Sequence, residues 1–436
     1  MKIYSFSVGG IVVEDSTVPP KDASVIAFLP GLSVIPLVQH TGSRAYPIVS
    51  VGDFVTEGML IGRCQGPGSA NIHATVPGRV VRMVSWKMAE GYTNDALVIR
   101  MEGSFEMLGK RQECYSWQGL SPDELCRLIS ECGIVEMEGM GEPAADMIAS
   151  LGKLPEPYTL VVRCVFDDPW LAADYTLCRE RLKAVAEGSV ITALAARVSR
   201  IIFAVSHREK DLGDKLMAEA ASFGIPVSLV PVSSRYPQKN RRELEYALRM
   251  YGKKEAVELG SLLILGPATL AAVHDAVKLR KPILDRYVAV GGSAVKTPQV
   301  MRVRIGTRIG EVFAECGGFI DTPRRIATGS PIMGRSVVDL DEPVVKTTTG
   351  VFAILRSQMG GTRKRNCIGC GECRTVCPVG LDPEALYKGC ATEENREFHL
   401  KRAGECHGCG CCEVVCPSRL PLSTAIRNAS PPGSRL

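Results

Sequence analysis

The feature that most constrains this chain is a cysteine rhythm near its C-terminal end, stated twice. CIGCGECRTVCPVG spans 367–380 and CHGCGCCEVVCPSR spans 406–419. Each run spaces four cysteines by two, two and three residues and then places a proline. Sulfide-bridged iron takes soft, anionic donors, and a cubane needs four thiolates. A tight loop with two-residue gaps supplies three, so the fourth comes from elsewhere. In the doubled bacterial form of this motif the last cysteine of each run ligates the other run's cluster. The expected ligand sets are Cys367, Cys370, Cys373 and Cys416 for one [4Fe–4S] cluster, and Cys406, Cys409, Cys412 and Cys377 for the other. Gly371 and Gly410 follow the second cysteine of each run, where little side-chain volume fits, and Pro378 and Pro417 turn the chain away.

Rival readings are weak on chemistry. Zinc sites use two C-x₂-C pairs with a longer gap between them. Disulfides suit an exported chain, and the opening MKIYSFSVGG has no apolar run of a signal peptide. Cys411 fills the variable position between Cys409 and Cys412 and is read as a non-ligand. Cys64, Cys114, Cys126, Cys132, Cys164, Cys178, Cys316 and Cys390 are scattered singly, and most are read as small buried apolar residues. Two neighbouring clusters make a short wire for single electrons. The segment between the runs looks helical and opens after Asp382, a residue suited to cap a helix. This favours an all-helical 2[4Fe–4S] ferredoxin domain over residues 361–428, after the basic boundary TRKRN at 362–366 and before the tail NASPPGSRL.

The rest of the chain reads as multidomain α/β. Residues 1–22 form a polar lead-in with a tight turn at Gly9–Gly10. Residues 23–115 carry short apolar runs between glycine and proline turns, a strand-and-turn pattern. VGDFVTEGMLIG and SANIHATVPGRVVRMV resemble the two halves of a lipoyl-like barrel-sandwich domain. The hairpin reads HATVPGR, without a lysine to carry a prosthetic group, so the module is read as structural. Residues 116–287 alternate strands and helices, the pattern of a largely parallel sheet, with helices expected to stop at Gly224 and Gly252. Residues 288–355 return to strands around the short helix GTRIGEVFAECGG, a β-grasp-like signal.

At this point the chain resembles a known family. VGGIVVEDS, VIPLVQHTGSRAYPIVSVGDFVTEGMLIG, YPQ at 236–238, VRIGTRIGEVFAECGG, GSPIMG, PVVKTTTGV and CPSRLPL are similar to landmarks of RnfC, the C subunit of the Rnf ion-translocating ferredoxin:NAD oxidoreductase. The resemblance implies an SLBB-like β-grasp domain, a flavin-domain-like α/β core and a peripheral location on the cytoplasmic side of the membrane. It also implies that electrons pass between NADH, with FMN as mediator, and the complex's membrane subunits, with ferredoxin as a further partner. A flavin suits that place because it accepts electron pairs and releases single electrons.

The departures fall at the flavin. The family loop G-x-G-G-A-x-F-P is read here in GMGEPAADM, leaving Gly139 and Gly141 as cofactor-binding candidates beside Glu142 and Pro143. A carboxylate near a phosphate and a proline without an N–H both oppose anion binding. The family's N-G-A-E-C-E-P-Y element becomes RCVFDDPW, where Asp168 stands for the second acid, Phe166 for the first and Arg163 for the asparagine. DDPWLAAD also resembles a segment of the sodium-pumping NADH:quinone reductase, in its A subunit. Two further readings stay open: a cobalamin or quinone reductase-type subunit, and a non-catalytic relay scaffold with a degenerate flavin site. Purification with bound flavin and NADH oxidation would separate them.

Other classes are excluded on composition. The net charge of +5 over 436 residues does not argue for nucleic acid, and no nucleic-acid motif, Walker loop or Ser/His/Asp arrangement stands out. The longest apolar stretch, GSLLILGPATLAAV, is broken by Pro267 and is too short to span a bilayer. The histidines are dispersed. KNRRE at 239–243 is read as a solvated face, with docking on an acidic partner or lipid as the alternative.

Overall fold

The computed structural model describes residues 2–14, 17–87, 93–357, 364–390 and 396–429. The middle of the chain is built on a four-stranded parallel sheet ordered Val227–Val232, Arg200–Ser206, Tyr158–Cys164, Ser261–Leu265. Leu160, Val162, Phe203 and Leu265 turn one face toward the helices Leu182–Ala195, Lys210–Ala221 and Pro267–Lys278. Val161, Ile202, Ala204 and Ile264 turn the other toward Arg241–Glu255. A strand buried on both faces reads as a continuous apolar run, which is why TLVVRCV and SLLIL are legible as parallel strands. The strand order reverses between Tyr158–Cys164 and Ser261–Leu265. Ligand crevices of open α/β sheets lie beyond the carboxyl ends of strands at such a reversal.

In front of this core, two small sheets close over Ile35, Leu37, Val55, Ile61, Ile72 and Leu97 as a barrel-sandwich. Behind it, a mixed six-stranded sheet includes Asp285–Gly291, Gln299–Arg304 and Gly350–Ile354 and carries the helix Ile309–Glu315. Gly317 and Gly318, both at positive φ, stop that helix. The short strand Ser24–Ile26 pairs with Gln299–Arg304 in this sheet, so its hydrogen bonds lie outside the front barrel where the sequence reading put it. The three bodies meet at Lys346. Its ammonium donates to the carbonyls of Asn71 (2.8 Å) and Gly133 (2.7 Å), and burial pulls its pKa down to about 7.

Three local expectations change. Gly252 does not end its helix; the chain runs on to Glu255 and stops where Ala256 takes a left-handed conformation. Val257 N–H then returns to the Gly252 carbonyl, and a Cβ at Gly252 would lie 2.8 Å from the Val257 carbonyl oxygen. KNRRE is not simply a solvated face, because Lys239 and Glu243 are turned inward. The lead-in is a packed strap: Tyr4, Phe6 and Ile11 are buried. Tyr4 extends the parallel sheet beside Val232, and Ile11 pairs with Tyr236. Of the isolated cysteines, Cys132, Cys164, Cys178 and Cys316 are buried, Cys64, Cys126 and Cys390 are half-buried, and Cys114 is exposed. Residues 362–363 of TRKRN and 430–436 of the tail lie outside the described residues; Lys364 and Arg365 are exposed.

Candidate functional site: the cysteine repeats and the switch-point crevice

The two cysteine runs fold alike. Gly371 and Gly410 sit at φ 78° and 79° and open the short helices Glu372–Thr375 and Cys411–Val414. A left-handed residue at this corner is what glycine alone adopts without strain. The Gly369 and Gly408 N–H groups each donate to the sulfur of the first cysteine of their run, Cys367 and Cys406, both at 3.4 Å. The Leu381 and Leu420 N–H groups donate to the last, Cys377 (3.3 Å) and Cys416 (3.5 Å). Backbone N–H groups aimed at sulfur stabilise thiolate charge and tune a cluster's potential.

Packing crosses between the runs. Cys377 lines one cavity with Cys406, Cys409 and Cys412. Cys416 packs with Cys367, Cys373, Cys412, Leu420 and Leu422, and Cys370 of the first run is exposed. Among the described residues no three ligand-type side chains close on a single metal ion. A cubane is wider than an ion and spaces its ligands further apart. Burial raises the Cys377 and Cys406 thiol pKa values, so ligation must release their protons. Eight soft donors, four N–H groups on sulfur and left-handed glycines at both corners fit two [4Fe–4S] clusters. Cys411 is fully buried among Ile11, Tyr236 and Met333, and it also lines the cavity of Cys377, Cys406, Cys409 and Cys412, its thiol hydrogen-bonded to Cys409. Between the runs, Asp382 accepts the Ala385 N–H at 3.1 Å and starts the helix Pro383–Gly389; Arg396–Ala403 follows, with 391–395 outside the described residues.

The second run is anchored to the α/β core. Tyr236 donates its hydroxyl to the Cys409 carbonyl at 2.8 Å. His407 pairs with the buried Glu243 of helix Arg241–Glu255. The N-terminal strap touches the end of the first run as well: Gly10 N–H donates to the Val376 carbonyl (2.9 Å), and a Cβ at Gly9 would lie 2.5 Å from the Cys377 carbonyl oxygen.

The switch-point crevice is different. The loop 136–142 is closed by Glu136 N–H to the Glu142 carbonyl (2.8 Å), and the helix Ala144–Leu151 starts directly after Pro143. Counting back from Pro143 as the proline of G-x-G-G-A-x-F-P places the pattern's first two glycines at Glu136 and Glu138. A register set on Gly139 and Gly141, as sequence reasoning has it, misses both acids. Their side chains turn inward. A Cβ at Gly139 would fall on the Glu136 carboxylate, and one at Gly266 would fall on that of Glu138. Glu138 also accepts the Ala268 N–H (3.1 Å) in the first turn of helix Pro267–Lys278. An anion at a helix N-terminus is stabilised there by the free N–H groups and the dipole. Arg163, at the end of its strand, spans both acids, 2.8 Å from Glu136 and 3.4 Å from Glu138. Lys239 reaches Asp174 at 2.9 Å, and Arg286 stands 3.8 Å from the same carboxylate. Burial, with the Asp174 charge beside it, pushes the Glu138 carboxyl up to about 7.

The other candidates take structural places. Gly141, at φ 80°, packs on His40 and Thr347, and its carbonyl accepts the Thr41 N–H. Asp168 is buried and accepts the Trp170 N–H (3.2 Å) and the Ser330 hydroxyl. Asp167 beside it accepts the Lys239 N–H at 2.7 Å. The residues that line the crevice do not fit a flavin phosphate: its glycine cradle and its helix N-terminus are both already held by carboxylates.

Comparison with known proteins supplies the family. Residues 7–104 match the RnfC barrel sandwich hybrid domain, 129–275 the Nuo51 FMN-binding domain and 287–336 the SLBB domain. The chain is 32% identical over 394 residues to the C subunit of an ion-translocating oxidoreductase complex of Rhodobacter capsulatus, covering 88% of this chain and 75% of that one. It is 29% identical to the C subunit of a proton-translocating ferredoxin:NAD(+) oxidoreductase complex of Clostridium ljungdahlii, covering 90% and 87%. Its identity to the C subunit of a Na(+)-translocating ferredoxin:NAD(+) oxidoreductase complex of Acetobacterium woodii is 27%, covering 81% and 80%. A NAD+-reducing [NiFe]-hydrogenase superimposes with a TM-score of 0.49 at 14% identity, covering 72% of this chain and 63% of that one. The matched front, core and back domains define a multidomain α/β protein of the class that carries a Nuo51-type domain. Within that class, the chain belongs to the RnfC family, the C subunits of ion-translocating oxidoreductase complexes.

Proposed function

We propose that this protein is the electron-transfer subunit of a membrane-bound ion-translocating oxidoreductase complex. It passes electrons between the NAD(H)/flavin side of the complex and its membrane subunits through two [4Fe–4S] clusters. The observation that carries this reading is the pair of cysteine runs with matching N–H···S contacts and crossed packing. Cys367, Cys370, Cys373 and Cys416 would hold one cluster, and Cys406, Cys409, Cys412 and Cys377 the other, within a C-terminal ferredoxin-type domain. The clusters supply one-electron transfer. The chain's own part is to hold them close together, shield one of them and present thiolates with N–H donors.

Its partners are the other subunits of the complex; ferredoxin is a proposed one-electron partner at its outer side, and electrons from NADH would reach it through a flavin. No helix among the described residues is long and apolar enough to cross a membrane. We place the protein peripherally on the cytoplasmic face, docked on the membrane subunits. Anaerobically purified protein should contain about eight irons with matching sulfide, as two cubanes require. Reduction should give the interacting paramagnetic signals of two neighbouring clusters. A preparation that folds, reconstitutes under iron and sulfide, and still holds fewer than four irons would overturn the reading.

A further inference from the structure

The crevice at the strand reversal raises a separate question, beyond the relay reading: where the flavin that feeds the clusters sits. In this chain the crevice is charge-balanced by its own side chains. Three carboxylates, Glu136, Glu138 and Asp174, face three cations, Arg163, Lys239 and Arg286. The Glu138, Asp174 and Arg286 side chains are 0%, 2% and 0% exposed. Buried charge of this kind holds only when paired, and an added dianion would meet the Glu136 carboxylate at short range, with the Glu138 carboxyl, pushed up to about 7 by burial, filling the helix N-terminus beside it. The N–H of Ala268, which an incoming phosphate would need, is already donated to Glu138. One guanidinium nitrogen of Arg163, Nη2, donates to both Glu136 (2.8 Å) and Glu138 (3.4 Å), while its buried Nε has no partner among the described residues. Further in, Arg286 donates to the Met137 carbonyl at 2.9 Å, tying the loop backbone into the same network.

We infer that this chain holds no FMN at its strand-reversal crevice, because Glu136 and Glu138, locked by Arg163, occupy the places from which a flavin phosphate would be bound. The conversion between electron pairs and single electrons therefore falls to a flavin elsewhere in the complex, and this chain acts from the cluster side only.

The test is a titration of the full chain, with clusters intact, by FMN under anaerobic conditions. Flavin fluorescence quenching and flavin retained after gel filtration are read on the same sample as iron content. The wild-type protein should retain no FMN. Stoichiometric retention with quenched fluorescence would overturn the inference, whatever the iron content. The variant Glu136→Gly/Glu138→Gly/Arg163→Asn restores the first two glycines of the family loop and the asparagine of its second element, and changes the local balance to one carboxylate against two cations. It should bind FMN at least about 100-fold more tightly than wild type, the scale on which unpaired buried charge acts. A variant with a native far-UV spectrum and full iron that gains no binding would also overturn the claim that these side chains close the site. If the variant does not fold, the wild-type titration decides. Cluster loss with unchanged flavin behaviour would count against the relay reading instead, so the two fail separately.

Discussion

The two cysteine runs have the same spacing, corner glycines and N–H···S contacts, yet they sit in opposite surroundings. The first run opens outward: Cys370 is exposed and Ile368 beside it is 70% exposed. The second lies against the α/β core and the N-terminal strap, with Cys409, Cys411 and Cys412 all buried. Identical local chemistry thus yields one shielded and one accessible position. The difference comes from residues far away in sequence: Ile11, Tyr236 and Glu243 lie against the second run. The two proposed clusters would then form a wire with one insulated end and one open end, suited to transfer from the interior of a complex to a docked partner.

The largest expected effect comes from breaking the crossing itself. Cys377→Ala should remove the cluster of the second run and roughly half of the iron, because a cubane with three thiolates is poorly held. Iron quantitation with paramagnetic resonance of the reduced protein reads this. Selective loss of the cluster of the first run would sink the crossed assignment.

A matched glycine pair tests whether the strap holds the end of the first run, where Cys377 is proposed to reach the second cluster. Gly9 and Gly380 both sit at φ 69°, but only Gly9 has backbone within a clashing distance, the Cys377 carbonyl, while nothing lies within 4 Å of a Cβ at Gly380. Gly380→Ala should cost only the left-handed penalty, about 1–2 kcal/mol. Gly9→Ala adds a backbone clash and should cost roughly 3 kcal/mol or more, with faster iron loss from the second run. Equal thermal shifts for the two variants would refute the role of the strap.

Tyr236→Phe removes the donor to the Cys409 carbonyl in a buried setting and should cost about 1–3 kcal/mol. The signal of the second run should shift while that of the first stays constant. The smallest effect is kinetic. Limited oxidation with ferricyanide, which reaches exposed sites first, should bleach the first run several-fold faster than the second in the intact protein. Equal bleaching rates would remove the distinction between open and insulated ends.

Legibility differs sharply among these regions. The strands TLVVRCV and SLLIL and the helix cap at Asp382 are readable because local pattern and turn chemistry decide them. The continuation of the helix through Gly252 is not, since it depends on the close approach of Val257. Lys239 reads as surface in a run of basic residues, but Asp174, 65 residues earlier, draws it inside. The crevice is half-legible. Arg163 in place of asparagine is visible, yet the acids at Glu136 and Glu138 are hidden by a register set on the wrong glycines. A count back from Pro143 finds them.

The cysteine spacing by itself determined how many thiolates each loop presents, where its left-handed corners fall and which N–H groups meet sulfur. Those contacts close within a few residues and need no partner from afar. Only the tertiary structure decided which run is covered and what fills the crevice. Both rest on groups separated by long stretches of chain: Tyr236 on Cys409, and Arg163 and Gly266 on Glu138. Charge placement in a buried crevice is settled by who can reach whom once the sheet has folded, and linear order does not record that.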